Sequence, residues 1–569
     1  MSRRYFKKKR MKKIKPAVLI IPAAVIVAAV IIILIVTGNS KEPVQRYLSS
    51  DTSGVSYYII DKDEDRIIKS SSTLPRGIKI IDTLTTYQES GREYEIIEYD
   101  GATYYVLPES ITDDPDNIVT EERLYLKYPA TIYKSPDSAE IISYAEKGEA
   151  IDIIGYDEIN EDGTVTMYEI SLGDASGWVY QKYTVLTKSE ADEVNTEYYN
   201  IHNGRMLTDK DLYGGMPEDL NWWPLEKPSF EDNPICDGEN SLYINASSLS
   251  DIDSYIKLAK TNNITSFVID IKDCSNGGGM AYHSEATKEI SPSAYEKALY
   301  SVSEFKEIIQ KIKDEGFYII GRIVAFNDKF FCEDNPDECI DYSASSNVWP
   351  SAYSRRCWYY NVAIAVEAVE LFGINEIQFD YARFPETSYT MTTSGIADFK
   401  NKYGEEKCEA VQNFLMYACD QIHNAGAYVS CTVSAECTGT YVTAYGQYYP
   451  SISLIVDAIS ATPYPDRFSE EAEDWLNPYD TVYSWAVNAA KRQAETPNPA
   501  LARTWVAAYS LPYWNPSTEC DAAYVADEIQ ALYDAGLTGG AIAYNSKADL
   551  TAYRKIAAAL GKTYTSKNK

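Results

Sequence analysis

Histidine is nearly absent from this 569-residue chain, which holds only His202, His283 and His423. No H-E-x-x-H pair occurs, and none of the ten cysteines, all between Cys236 and Cys520, stands in a C-x-x-C step. Zinc centres draw on His and Cys at such spacings, so a zinc or thiol enzyme is disfavoured and neither metal nor cofactor is expected. G-x-G-x-x-G and the P-loop are also missing, which removes the usual cargo of an open doubly wound sheet. The first acid is Glu42, and beyond that point basic residues become the scarce ones. Setting aside nine Lys and Arg in residues 1–15 leaves 43 basic against 84 acidic side chains, a formal charge of −41. Nucleic acid binding rests on neutralising phosphates with Lys and Arg. No nucleic acid partner is therefore expected, and the acidity reads as a solubilising surface.

What the amino terminus does contain is an apolar run from Ala17 to Val36, interrupted only by Pro22. It is long enough to cross ~30 Å of hydrocarbon as a helix. A cleavable signal has a shorter core and a small-residue cleavage motif. Residues 16–38 therefore read as an uncleaved transmembrane signal anchor behind a cytoplasmic basic flank, residues 1–15. The expected location is the cell membrane, single-pass, with the bulk of the chain extracellular. That compartment permits disulfides. Cys332 and Cys339, like Cys431 and Cys437, are near in sequence, although spacing does not fix pairing.

Residues 52–115 and 121–187 read as two copies of one small β-unit. Short alternating runs are separated by turns at Ser90-Gly91, Asp100-Gly101 and Asp162-Gly163, the pattern of small antiparallel barrels. The second copy ends in Gly177-Trp178-Val179. This resembles the bacterial SH3-like domain of cell-wall proteins; the first copy is degenerate, with Thr103-Tyr104-Tyr105-Val106 at the corresponding place. The resemblance implies binding to a wall polymer, and the alternative is a spacer above the membrane. Residues 188–235 are polar and irregular and read as a linker, with Trp222-Trp223 as an aromatic plug or a sugar-stacking platform.

From Cys236 to about 562 short apolar runs alternate with amphipathic segments. Candidate strands are Leu242–Ile244, Ser266–Ile271, Tyr318–Ala325, Ile377–Phe379, Tyr428–Val433, Ala458–Ala461, Trp505–Ala508 and Gly540–Tyr544. Glycines at 316, 373, 426 and 536 mark helix ends just before strands. Eight such units predict an α/β fold, a (β/α)8 TIM barrel over residues 236–562. Barrel chemistry gathers at the carboxyl ends of strands. There the chain places Asp270 and Asp273, Asp328, Asp380 with Tyr381 and Arg383, Glu436, Tyr464, Tyr509 and Asn545.

Several blocks occur in a recognisable order. They are Val268–Asp273 (V-I-D-I-K-D), Arg322–Asp328 (R-I-V-A-F-N-D), Gln378–Pro385 (Q-F-D-Y-A-R-F-P), Val433–Glu436, Ile459–Pro465 and Ala541–Asn545. From Ser241 to Leu560 the chain resembles the putative glycoside hydrolase domain family, itself similar to α-amylase-type barrels. That family more often has Asp where Glu436 stands. The resemblance implies hydrolysis of glycosidic bonds in a polysaccharide. Such cleavage needs two carboxyl groups, one ionised and one protonated. Asp380, next to Arg383, is expected to be ionised and to serve as nucleophile or base. Glu436, behind an apolar run, is the expected general acid. Tyr381, Arg383, Tyr464, Asp270, Asp273, Asp328 and Asn545 are expected to hold sugar hydroxyls. Trp505, Tyr509, Trp358 and Trp514 are candidates for stacking or for packing. The alternative function is a carbohydrate-binding barrel without turnover.

Overall fold

The computed structural model describes residues 43–49, 54–61, 66–113, 123–160, 164–203, 214–216, 218, 220–275, 278–342, 348–468 and 472–567. The basic flank and the anchor expected over residues 16–38 lie outside them. Among the described residues no helix is long and apolar enough to cross a membrane.

The amino-terminal part is all-β and holds two seven-stranded sheets, one spanning strands from Val44–Leu48 to Ile111–Thr112, the other from Arg123–Leu126 to Thr184–Val185. With each set counted along the chain, both run in the order 3-2-6-5-4-1-7. Two sheets with one strand order are a topological repeat. The hairpin turns at Ser90-Gly91 and Asp100-Gly101 have positive φ at both residues (53° and 78°, 48° and 72°). That is the backbone of type I′ turns, whose twist suits antiparallel strands. The first copy starts at Val44, ahead of the expected residue 52, with a strand that pairs to Lys79–Glu89. Only Leu48 of that strand is buried, so its sequence carries almost no apolar alternation. Leu48 joins Val55, Leu74, Ile78, Ile80, Ile97 and Val106 in the core of this copy.

From Ser241 onward the described chain forms a closed parallel barrel. Its strands are β1 (Ser241–Ile244), β2 (Ser266–Asp273), β3 (Tyr318–Val324), β4 (Glu376–Asp380), β5 (Tyr428–Ser434), β6 (Ala458–Thr462), β7 (Leu501–Ala507) and β8 (Ala541–Tyr544). Each pairs with the next, and β1 pairs with both β8 and β2, which closes the ring. The main helices are α1 (Ile252–Thr261), α2 (Val302–Asp314), α3 (Arg355–Phe372), α4 (Lys407–Asn424), α5 (Tyr449–Ser453), α6 (Pro478–Ala494), α7 (Ala522–Ala535) and α8 (Leu550–Leu560). α3 stops where Gly373 turns left-handed at φ 65°, the conformation that Gly adopts without a steric penalty.

β7 begins four residues before the expected Trp505, because Arg503 lies inside it. That guanidinium is fully buried and paired to Glu376 at 2.7 Å, a partner invisible in the local sequence. The Cys332–Cys339 pair is a disulfide, whereas Cys431 and Cys437 are free and buried. Within the expected linker, described residues 220–235 pack on the barrel. Trp222 is buried and stacks on His202 at 4.5 Å, and Asn233 Nδ2 donates to the carbonyls of Asn375 and Gly426. Trp222 is a packing residue.

Candidate active site

Alternation along β4 turns Glu376, Gln378 and Asp380 to one side of the sheet. The first two are fully buried; Asp380, at the strand's carboxyl end, retains 16% exposure. Its partner comes from β3. Arg322 donates from Nε (2.9 Å) and Nη2 (2.7 Å) to Asp380 Oδ2. The same guanidinium donates from Nη1 to Asp270 Oδ1 at 2.6 Å and to Asp273 Oδ1 at 3.3 Å. Arg322 is thus enclosed by three carboxylates, which outweigh its burial and hold it well above its ordinary pKa.

The expected neighbour, Arg383, is elsewhere: its Nη2 donates to Glu386 at 2.8 Å. Adjacency in sequence misled because the chain turns sharply after β4. Tyr381 sits at φ 52°, rare for a bulky residue and costing on the order of 1–3 kcal/mol. That turn aims the Tyr381 N–H at Asp380 Oδ1, 2.8 Å away.

A second carboxylate stands after β5, on the single turn Ala435–Thr438. Glu436 is exposed, not screened behind an apolar run. Tyr441 donates to Oε1 at 2.8 Å and Tyr445 to Oε2 at 2.9 Å. Burial first, then the Glu436 charge, hold the Tyr445 hydroxyl far above its ordinary pKa, so it remains a donor.

Both carboxylates line one cavity of about 1140 Å³. Tyr381, Arg383, Tyr464 and Trp505 of the expected set line it too. Trp505 and Tyr464 form its aromatic floor with Tyr544.

Seven of the candidate residues do not line it. Asp270 is fully buried, accepts from Tyr243 at 2.5 Å, and acts on Arg322 instead of on solvent. Burial pushes Asp270 up to about 7 against the pull of Arg322. Burial works the same way on Asp273, but Arg322 and Ser275 outweigh it and leave that acid below its usual range. Asp328 is fully buried on Lys272 (2.7 Å) and caps a helix through the Phe331 N–H. Asn545 is buried and caps a turn, accepting from the N–H groups of Lys547 and Asp549. Tyr509 donates to Asp466 at 2.7 Å. Trp358 is fully buried and Trp514 is 39% exposed.

Arg322, Tyr441, Tyr445 and Tyr544 were missed as site residues. Arg322 had a signal, a lone cation amid Ile319, Ile320, Ile323 and Val324. Among the described residues no group of three His, Cys, Asp or Glu could hold a metal ion.

A closed (β/α)8 barrel with an acid-bearing cavity at its strand ends has the architecture of a barrel enzyme. Residues 241–549, more than half of the chain, match the model of a family described as a putative glycosyl hydrolase domain, and the chain belongs to that family. Among solved structures, a hypothetical protein from Ruminiclostridium thermocellum aligns at 29% identity over 33% of this chain and 96% of its own, TM-score 0.28. The glycoside hydrolase domain of PgaB (BpsB) from Bordetella bronchiseptica aligns at 12% identity over 57% and 98%, TM-score 0.41. An exo-β-N-acetylglucosaminidase from Vibrio harveyi aligns at 12% over 58% and 55%, TM-score 0.38. No curated protein matches the chain.

Proposed function

We propose that the barrel hydrolyses glycosidic bonds of a cell-wall or extracellular polysaccharide, with Asp380 and Glu436 as its two carboxyl groups. The observation that carries this reading is their shared cavity, in which each is held by its own fixed donors. Asp380 on the Arg322 fork suits the nucleophile, or the base that activates water; Glu436 is then the acid. Partly exposed Tyr544 supplies an apolar ring face beside the bond, backed by buried Tyr464 and Trp505. The basic flank and apolar run support anchoring of the chain at the cell membrane with its bulk outside. The repeated β-units then hold a wall polymer or raise the barrel above the membrane.

The test is reducing-end release from wall and capsule polymers by the full chain in detergent, compared with Asp380→Asn and Glu436→Gln. Turnover by the parent and its loss in both variants supports the assignment; an Asp380→Asn variant as fast as the parent removes Asp380 from the chemistry. The binding-only reading is favoured by one observation. Glu436 is exposed, whereas an acid kept protonated near neutrality usually sits in apolar surroundings. Glycan binding with no reducing ends released would decide for that alternative.

A further inference from the structure

The cavity does not end at the strand ends. α6 runs beside it and forms a side wall through Asn477, Thr481, Ser484 and Asn488, ending at Arg492. Steps of three and four place these residues on one helix face. From Asn477 to Arg492 that face is about 22 Å long, at ~1.5 Å per residue, a length that spans several pyranose rings. A polar helix face is ordinarily just solvated, but this one belongs to the same cavity as Asp380 and Glu436. α6 is also tied to the Glu436 turn, because Trp485 Nε1 donates to the Ala435 carbonyl at 3.1 Å. A cavity of about 1140 Å³ exceeds the ~300–1,000 Å³ of ordinary small-ligand sites.

Chemistry narrows the occupant. Asn477, Ser484 and Asn488 are exposed, and amide and hydroxyl groups both donate and accept, as sugar hydroxyls do. Glu473, Asp474 and Asp480 add carboxylates to this part of the lining. Of the four lining arginines, Arg322, Arg383 and Arg492 are each paired to an acid of the protein and Arg467 stands in the field of Asp466, while six carboxylates line the same cavity. A polyanion is therefore repelled.

We propose that the α6 wall is a groove for consecutive residues of a non-anionic polysaccharide, so that a long chain is gripped on one side of the reacting bond and cut internally. This rests on the hydrolase reading above.

The test is a fluorescence titration of full-length Asp380→Asn with labelled ladders, disaccharide to octasaccharide, of β-1,4-glucan, N-acetylglucosamine, glucosamine and a polyuronate. One neutral or amino-sugar ladder is expected to gain about tenfold in affinity or more from disaccharide to hexasaccharide, ~1.4 kcal/mol. Adding Asn488→Trp, which fills the groove from an exposed helix position, is expected to erase that gain. Affinity that saturates at the disaccharide, or tightest binding of the polyuronate, overturns the groove. If the parent still releases reducing ends in that case, the hydrolase reading stands alone. A chain that binds no ladder and cleaves no polymer loses both.

Discussion

Strand β4 begins with Glu376 and ends with Asp380, two acids on one face of one strand, and each meets an arginine from another strand. At the amino end Arg503 donates to Glu376 at 2.7 Å, Ser430 at 2.5 Å and Tyr318 at 3.1 Å. Glu376 and Arg503 are both fully buried. At the carboxyl end Arg322 forks onto Asp380, which keeps 16% exposure and lines the cavity. The chemical groups are the same; the accounting of lone pairs and access differs. A sealed carboxylate that accepts three donors can only hold strands together, and breaking such a pair is costly because one charge is left stranded. A carboxylate with an open side can meet a substrate. Charge in a barrel core is therefore not evidence of catalysis by itself. Position along the strand decides which role it takes.

The comparison breaks most clearly by neutralising each end in turn. Asp380→Asn is expected to lower kcat by about 10²–10⁴, the usual worth of a positioned acid or base, with the melting temperature nearly unchanged. Glu376→Gln should do the reverse: a stability loss of about 3–5 kcal/mol, or roughly 6–10 °C by calorimetry at about 2 °C per kcal/mol, with the folded fraction still active. A stable but inactive Glu376→Gln variant, or an Asp380→Asn variant that unfolds, would reverse the two assignments. Tyr445→Phe comes next. It removes one of two donors to Glu436 and is expected to cost about tenfold in kcat, ~1.4 kcal/mol. A rate equal to the parent's would leave Tyr445 with a packing role only.

Eight strands were legible because parallel barrel strands read as short apolar runs between glycine-ended helices. Asp380 was legible for the same reason: it is the first acid after such a run. The identity of its partner was not. Arg322 lies 58 positions away in sequence, and pairing across strands depends on register, which local reading does not supply. Arg503 hid the start of β7 in the same way. Asp270, Asp328 and Asn545 looked like cleft residues because strand ends collect polar groups for two purposes, and capping or clamping uses the same side chains as binding. The α6 wall was overlooked because a polar helix face looks identical whether it meets solvent or sugar.

A third interior carboxylate sharpens the contrast, because among the described residues no cation is paired with it. Glu528 on α7 is fully buried; its Oε1 accepts from the Ala507 N–H at 3.2 Å, and Oε2 has no partner. Burial holds its pKa well above the ordinary carboxylate range, so the native state carries a proton that the unfolded chain releases near pH ~4.3. Between those values the folded protein binds one proton more than the unfolded one, and stability falls as pH rises, by about 1.4 kcal/mol per pH unit. Asp270 contributes with the same sign up to about 7. Glu528→Gln removes the Glu528 slope, while its buried amide N–H groups offset part of the gain. The variant is expected to gain stability relative to the parent as pH rises from ~4, and to lose that advantage as pH falls, read from melting temperatures across that range. Parallel curves for parent and variant would mean that Glu528 is already ionised in the native state, and that the barrel tolerates a buried carboxylate without the arginine that Glu376 and Asp380 each possess.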